Sequence, residues 1–313
     1  MGWRGTPNVA RNGACAYSRV VSTPKKHHFV PQFLLRGFAD DKEALVVHGL
    51  DPANRYFSKV RDVGHQNDGH TLFQRDGTAD RETLEAAMSQ IEGDAADAVR
   101  ELADGESLTD ERKAALSWFL AMQWHRSRYL LDSVASELNS GGITREQMQT
   151  GLLRVVFVPF FSAWHHRDDM SVRPKYRWDA IESQLHLFRW SLCRYRADSL
   201  VLGDQTVCLY GVRKGGQASI NDAWARHGIG IGWDDVGRVT VALTPRLGLL
   251  LGRTETPTRL SASDFNRTTI YNARRFVVHS PAWPYGRENL QKAFNEAIDR
   301  QRWLAPVYFK NQL

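Results

Sequence analysis

Between about residues 80 and 165 the apolar side chains recur at helical spacing, while on both sides of that block they alternate or run in short stretches. This change of period limits the possible folds more than any other feature. Leu84, Met88, Ile91, Ala95, Ala98, Val99 and Leu102 form one stripe at intervals of three to four residues, the pattern of a helix with one buried face. Asp104-Gly105 ends it, and Ser107 or Thr109 followed by Asp110 and Glu111 starts a second helix, since a hydroxyl and nearby acids satisfy the free N–H groups at a helix start. That second helix is apolar on almost every side, with Leu116, Trp118, Phe119, Leu120, Met122 and Trp124, which predicts a central position. It is expected to close at Gly141-Gly142, with a third helix running from about Thr144 into Trp164.

Ahead of this block, Ala44 to Leu50 and Arg55 to Val60 flank Asp51-Pro52-Ala53-Asn54, a turn-rich tetrapeptide that predicts a β-hairpin. His65 to His70 reads as a polar loop, and Thr71-Leu72-Phe73 is expected to return to the sheet. Behind the block, strands are expected over 187–195, 200–202 and 207–210, and over 239–243 and 247–251 as a pair joined at Thr244-Pro245-Arg246. Gly228, Gly230 and Gly232 alternate with Ile229, Ile231 and Trp233, which suits a glycine-rich strand better than a phosphate loop because no helix start follows. Ser263 or Asp264 should cap a short helix through Arg274, with a last strand at 276–279 and a terminal helix over 287–302. Strands, then helices, then strands define an α+β fold, with an N-terminal hairpin and C-terminal antiparallel strands packed on a central helical block. Residues 24–313 are expected to form a single domain behind a disordered basic tail, residues 1–23.

Charge is unevenly spread. The net charge is +6, yet Arg4, Arg11, Arg19, Lys25 and Lys26 all fall within the first 28 residues, which hold no acid. A near-neutral body remains, so nucleic acid is a partner class that the charge admits without requiring. No run reaches the roughly 18 apolar residues of a membrane span. The three cysteines, Cys15, Cys193 and Cys208, lack the even, dense spacing of a secreted disulfide framework, and the expected location is the cytoplasm.

One segment stands apart from these patterns, the run Lys25-Lys26-His27-His28-Phe29-Val30-Pro31-Gln32-Phe33-Leu34-Leu35-Arg36-Gly37-Phe38. It resembles the opening signature, His-His-x-Val-Pro-x-Phe-x-Leu-Arg-x-Phe, of a bacterial family, domain of unknown function 4238. Further along, Ile91-Glu92, Phe119-Leu120-Ala121-Met122-Gln123 with Arg126, Trp190, Gly203-Asp204, Leu243-Thr244-Pro245, Asn266 and Ala273-Arg274-Arg275-Phe276 fall in that family's order. The resemblance covers about residues 25 to 281. It departs at Gly203, where the family usually has serine before the aspartate, and at Thr244, where it tends to have serine.

The candidate site residues are His28, Glu92, Gln123, Arg126 and Asp204. Successive side chains on an extended segment alternate faces, so only one of His27 and His28 can enter a given site. Anchoring by Val30 and Phe33 favours His28 inward and Phe29 outward. Glu85 and Glu92 lie seven residues apart on one side of a helix, and Glu85 reads as a surface carboxylate. Gln123 falls within an apolar face, where its amide must find hydrogen bonds, and Arg126 is its neighbour one turn on. Asp204 sits in a Gly-Asp turn that its own side chain can stabilise. His65-x4-His70 and His165-His166 do not match zinc spacings, and no HExxH, Walker, GxSxG or dinucleotide pattern occurs. No cofactor is indicated, and a divalent metal stays open. The expected function is a hydrolase acting on phosphodiesters, nuclease-like, with His28 as acid or base and the other four arranging substrate or metal. The competing reading is a non-catalytic binding module whose polar cluster is structural.

Overall fold

A computed structural model describes residues 26–50, 53–127, 144–168, 180–212, 236–253 and 258–284, together with position 295. The tail, the Gly141-Gly142 stop, the glycine-rich strand and, apart from position 295, the terminal helix lie outside the described residues.

The chain opens with β1 (Lys26–His28), α1 (Gln32–Gly37), β2 (Ala44–Leu50) and β3 (Ala53–Lys59), and a 3-10 turn (Val60–Asp62) leads to β4 (His65–Asn67). Next come β5 (Leu72–Phe73), β6 (Ala79–Asp80) and the helices α2 (Thr83–Ala103), α3 (Asp110–His125), α4 (Arg145–His165) and α5 (Ala180–Leu185). Then follow β7 (Arg189–Arg194), β8 (Leu202–Gly203), β9 (Cys208–Val212), β10 (Val236–Thr244), β11 (Leu247–Gly252), α6 (Ala262–Asn272) and β12 (Phe276–His279). The fold is α+β. Two four-stranded sheets, ordered β3-β2-β12-β8 and β7-β11-β10-β9, are accompanied by the small pairs β1-β4 and β5-β6. Every pairing among the described residues is antiparallel. Strand β12 pairs with β2, Val278 opposite Val47, so the predicted hairpin and the end of the chain share one sheet.

The predicted helices form for the expected reasons. All seven residues of the first stripe are buried on α2, and Thr109 caps α3 by accepting from the Arg112 N–H. A capping box at Thr144 and Gln147 starts α4. One apolar core joins Leu34, Leu35 and Phe38 of α1 to Met88 and Ile91 of α2, Phe119 of α3, Phe157 and Phe160 of α4, and Val241 and Leu249 of the second sheet. No helix among the described residues is long and apolar enough to cross a membrane.

Several local expectations are corrected. Helix α3 stops at His125 with Arg126 as its C-cap, well short of the glycine pair. Its apolar pattern runs on beyond the break, and hydrophobic period alone does not mark where a helix ends. The supposed polar loop contains β4, which pairs with the signature segment, His27 opposite Gln66 and His28 opposite His65. Residues 72–73 pair with 79–80 in their own ribbon and do not rejoin the large sheets. The cap of α6 is Ser261, whose hydroxyl accepts from the Asp264 N–H.

Gly64 fixes the signature segment in place. Its carbonyl accepts from the N–H groups of Phe29 at 2.8 Å and Val30 at 3.1 Å, and its φ of +67° belongs to the region that glycine enters without a steric penalty. A Cβ at this position would lie 2.8 Å from Val30 Cβ.

A buried polar cluster around the signature segment

His27 enters the interior and His28 does not, which reverses the expected orientation. His27 is 2% exposed and Phe29 6%, and as residues two apart on extended backbone they share a face. His28 is partly exposed on the other face. Phe33 gave no guide to the strand, because it lies beyond Pro31 on α1, where the side-chain period is different.

The His27 ring is stacked on that of His70, with centroids 5.6 Å apart and planes 12° from parallel. Its Nδ1 accepts from the His70 backbone N–H at 2.8 Å, while its buried Nε2 has no hydrogen-bond partner. His70, also buried, places Nδ1 2.5 Å from Glu85 Oε1 and meets the Phe157 ring edge-on. Burial is the main influence on His70 and holds its pKa below the usual value, although Glu85 pulls it upward. For Glu85 burial acts upward, but the hydrogen bond and charge of His70, with Arg126 and His27, outweigh it and leave the carboxyl below its usual range. The pair is therefore a neutral imidazole donating Nδ1–H to a carboxylate. The loop carrying His70 is held by Asp68, which takes Arg81 at 2.6 Å, and by Gln149 Nε2, which donates to the Asp68 carbonyl.

Arg126 is the largest fully buried side chain among the described residues, 1% exposed. Its Nη2 lies 2.6 Å from Glu92 Oε1. That contact is an ion pair without hydrogen-bond geometry, since Nη2 and Nε both lack hydrogen-bond partners. The positive charge is felt by His28, His70 and Glu85. Gln123, one turn earlier on α3, donates from Nε2 to the Phe29 carbonyl at 2.6 Å and thereby ties the helical block to the signature segment.

His28 accepts at Nδ1 from Gln32 Nε2 at 3.1 Å. The amide orientation is set by Arg36 Nη2, which donates to Gln32 Oε1 at 2.7 Å, so the proton of a neutral His28 belongs on Nε2. Burial, and then the neighbouring His65, push this ring down to about 4, and it is neutral near pH 7.

Asp204 has a different set of partners. Oδ1 accepts from the N–H groups of Arg274 and Gln205, and Oδ2 from that of Arg275. These bonds clamp the turn after β8 to the connection between α6 and β12, and no described contact joins Asp204 to His28, Glu92, Gln123 or Arg126. Burial pushes its carboxyl up to about 6 despite the three N–H groups. Asn266 bridges in a similar way, accepting from Val201 N–H and donating to the Ser199 carbonyl. A cleft of about 440 Å³ opens elsewhere, lined by residues that include Trp118, Trp164, Glu111, Arg167, Glu182 and His186. None of the five candidate residues lines it.

The structure thus brings together Glu92, Gln123 and Arg126, while His28, on the opposite face of its strand, meets Gln32 and His65 and feels the Arg126 charge. It adds His27, His70 and Glu85, which sequence reasoning did not select. Of these, Glu85 carried a trace of its role in the seven-residue spacing from Glu92. His70 had none, because what matters is its approach to His27 across 43 residues of sequence.

Fold and site together define an α+β protein with a buried cluster of imidazole, carboxylate and guanidinium around its signature segment. The chain belongs to the family described as protein of unknown function (DUF4238), whose model matches residues 26–282. No curated protein and no solved structure matches the chain.

Proposed function

We propose that this chain is a phosphodiester hydrolase acting on nucleic acid, with its site at the cluster around Arg126. The observation that carries the reading is the state of Arg126 itself. Its guanidinium is buried, leaves Nε without a hydrogen-bond partner, holds Nη2 in an ion pair with Glu92, and carries a charge that reaches His28 and His70. A planar cation with a spare N–H suits the non-bridging oxygens of a phosphodiester. The Glu92 side chain, 23% exposed, is the acceptor assigned to a proton of the attacking water, and the unpaired N–H of His28 Nε2, buried in the free protein, is the donor assigned to a phosphate oxygen. Water oxygen bonds to phosphorus as Glu92 takes its proton, the bond to the leaving oxygen breaks, and that oxygen takes up a proton from solvent, to which Glu92 returns its own. Gln123 positions the signature segment, and the proposal gives Asp204 no part in the chemistry. Cys193 and Cys208 are both free and buried, which supports a reducing, cytoplasmic setting.

The second reading is a binding module with a structural cluster. It is favoured by the near-complete burial of Gln123 and Arg126 and by the use of the Gln123 amide on backbone. Cleavage of single- and double-stranded DNA and RNA, with and without divalent metal, by the wild type, His28→Gln and Arg126→Gln separates the two. Under the hydrolase reading the wild type cleaves at least one polymer, and His28→Gln loses about 10²-fold or more in rate with little change in stability. If the wild type cleaves none of them and both variants are strongly destabilised, the binding module is the better account.

A further inference from the structure

We propose that His27, His70 and Glu85 bind a divalent transition-metal ion. The three residues come from strand β1, the loop after β4 and the first turn of α2, and one potential ligand atom from each lies within 4.8 Å of the others. Two imidazoles and one carboxylate suit zinc and its neighbours in the first transition row, and three protein ligands leave a further position for water or substrate.

The lone pairs are only lightly committed. His27 Nδ1 accepts from one backbone N–H, which puts the proton of the neutral ring on Nε2, an atom that makes no hydrogen bond, so ligation through Nδ1 exchanges only that one N–H contact for the metal. His70 Nδ1 and Glu85 Oε1 share one proton. An ion entering here takes the place of that proton, which leaves to solvent, so ligation and proton release are coupled. Glu85 brings the negative charge that a cation needs. Arg126 is the positive group facing the site, and it is already ion-paired with Glu92, which leaves the charge of Glu85 for the metal. The Glu85 side chain is 34% exposed, and this provides the entry side.

The part of the ion in phosphodiester chemistry rests on the function proposed above, whereas its binding does not. The test uses the full chain stripped with a chelator, then dialysed against Zn²⁺ or Co²⁺, with bound metal measured by mass spectrometry and by the visible spectrum of Co²⁺. The expected result is one ion per chain, with affinity reduced roughly 100-fold or more in His70→Gln and Glu85→Gln. His186→Gln, away from the cluster, should bind as the wild type does. Equal binding in the two cluster variants would overturn the site by showing the metal to be elsewhere. Should those variants fail to fold, the wild type decides alone: Zn²⁺ must bind saturably and raise its melting temperature, and absence of either overturns the proposal. Cleavage is scored separately. An ion bound without cleavage removes the hydrolase reading and leaves the site, while cleavage by a protein that binds no ion removes the site and leaves the reading.

Discussion

Gln123 reaches across 94 residues of sequence to donate its amide to the Phe29 carbonyl over 2.6 Å. This single bond couples the central helix to the segment that carries both signature histidines. Gln123→Leu keeps the volume and the apolar surroundings but leaves the buried carbonyl unpaired, an expected loss of about 1–3 kcal/mol. Urea unfolding measures it, and an unchanged midpoint would show that the bond contributes nothing net.

Breaking the Arg126–Glu92 pair should be asymmetric. Glu92→Gln leaves a guanidinium that is 2% exposed without its counter-charge, whereas Arg126→Gln leaves a carboxylate with 23% of its side chain exposed. Removing one partner of a buried pair costs about 3–5 kcal/mol, and Glu92→Gln is expected near the top of that range with Arg126→Gln below it. Chemical denaturation of both variants checks the order, and equal losses would mean that burial of the arginine is not the controlling term.

Gly64→Ala should destabilise the fold by roughly 1–3 kcal/mol, through left-handed backbone and overpacking together. The added methyl would lie 2.8 Å from Val30 Cβ, directly beneath the signature. Gly77→Ala serves as the comparison, since Gly77 also has positive φ but nothing within 4 Å of an added Cβ. A loss at position 64 no larger than at position 77 would assign the whole effect to backbone strain.

Asp204 gives a pH dependence with a defined sign. Its carboxyl is raised to about 6 in the folded protein from an ordinary value of 3.8, so the folded state holds the proton more tightly than the unfolded state. The contribution is complete below about pH 4 and is lost as pH rises through about 6. Asp204→Asn cannot titrate and should flatten that part of the profile of stability against pH. It should also cost stability at every pH, because one amide oxygen replaces two oxygens accepting three N–H groups. A variant with the wild-type slope would exclude Asp204 as its source.

The sequence by itself determined the α+β class and most of the elements. Helix stripes such as Leu84 to Leu102, the Thr109 and Thr144 caps, and the hairpin around residues 51–54 are local patterns, set by side-chain period and by backbone groups satisfied within a few residues. It also identified Gln123 as an amide on an apolar face that must find a partner, since burying an unbonded amide is costly wherever the partner comes from. The rest was decided by tertiary structure. Which histidine turns inward depends on the register of β1 against β4 and on the Gly64 carbonyl, and a shift of one residue exchanges the two faces. Glu85, read as a surface carboxylate, became part of the cluster only when the loop after β4 brought His70 within 2.5 Å of it. Asp204, a site candidate in a Gly-Asp turn, proved to hold three backbone N–H groups, and the two that come from the α6–β12 connection lie some 70 residues away in sequence. Periodicity records how each element meets the core, whereas a site depends on approaches between side chains far apart in the chain, and those distances exist only in the folded protein.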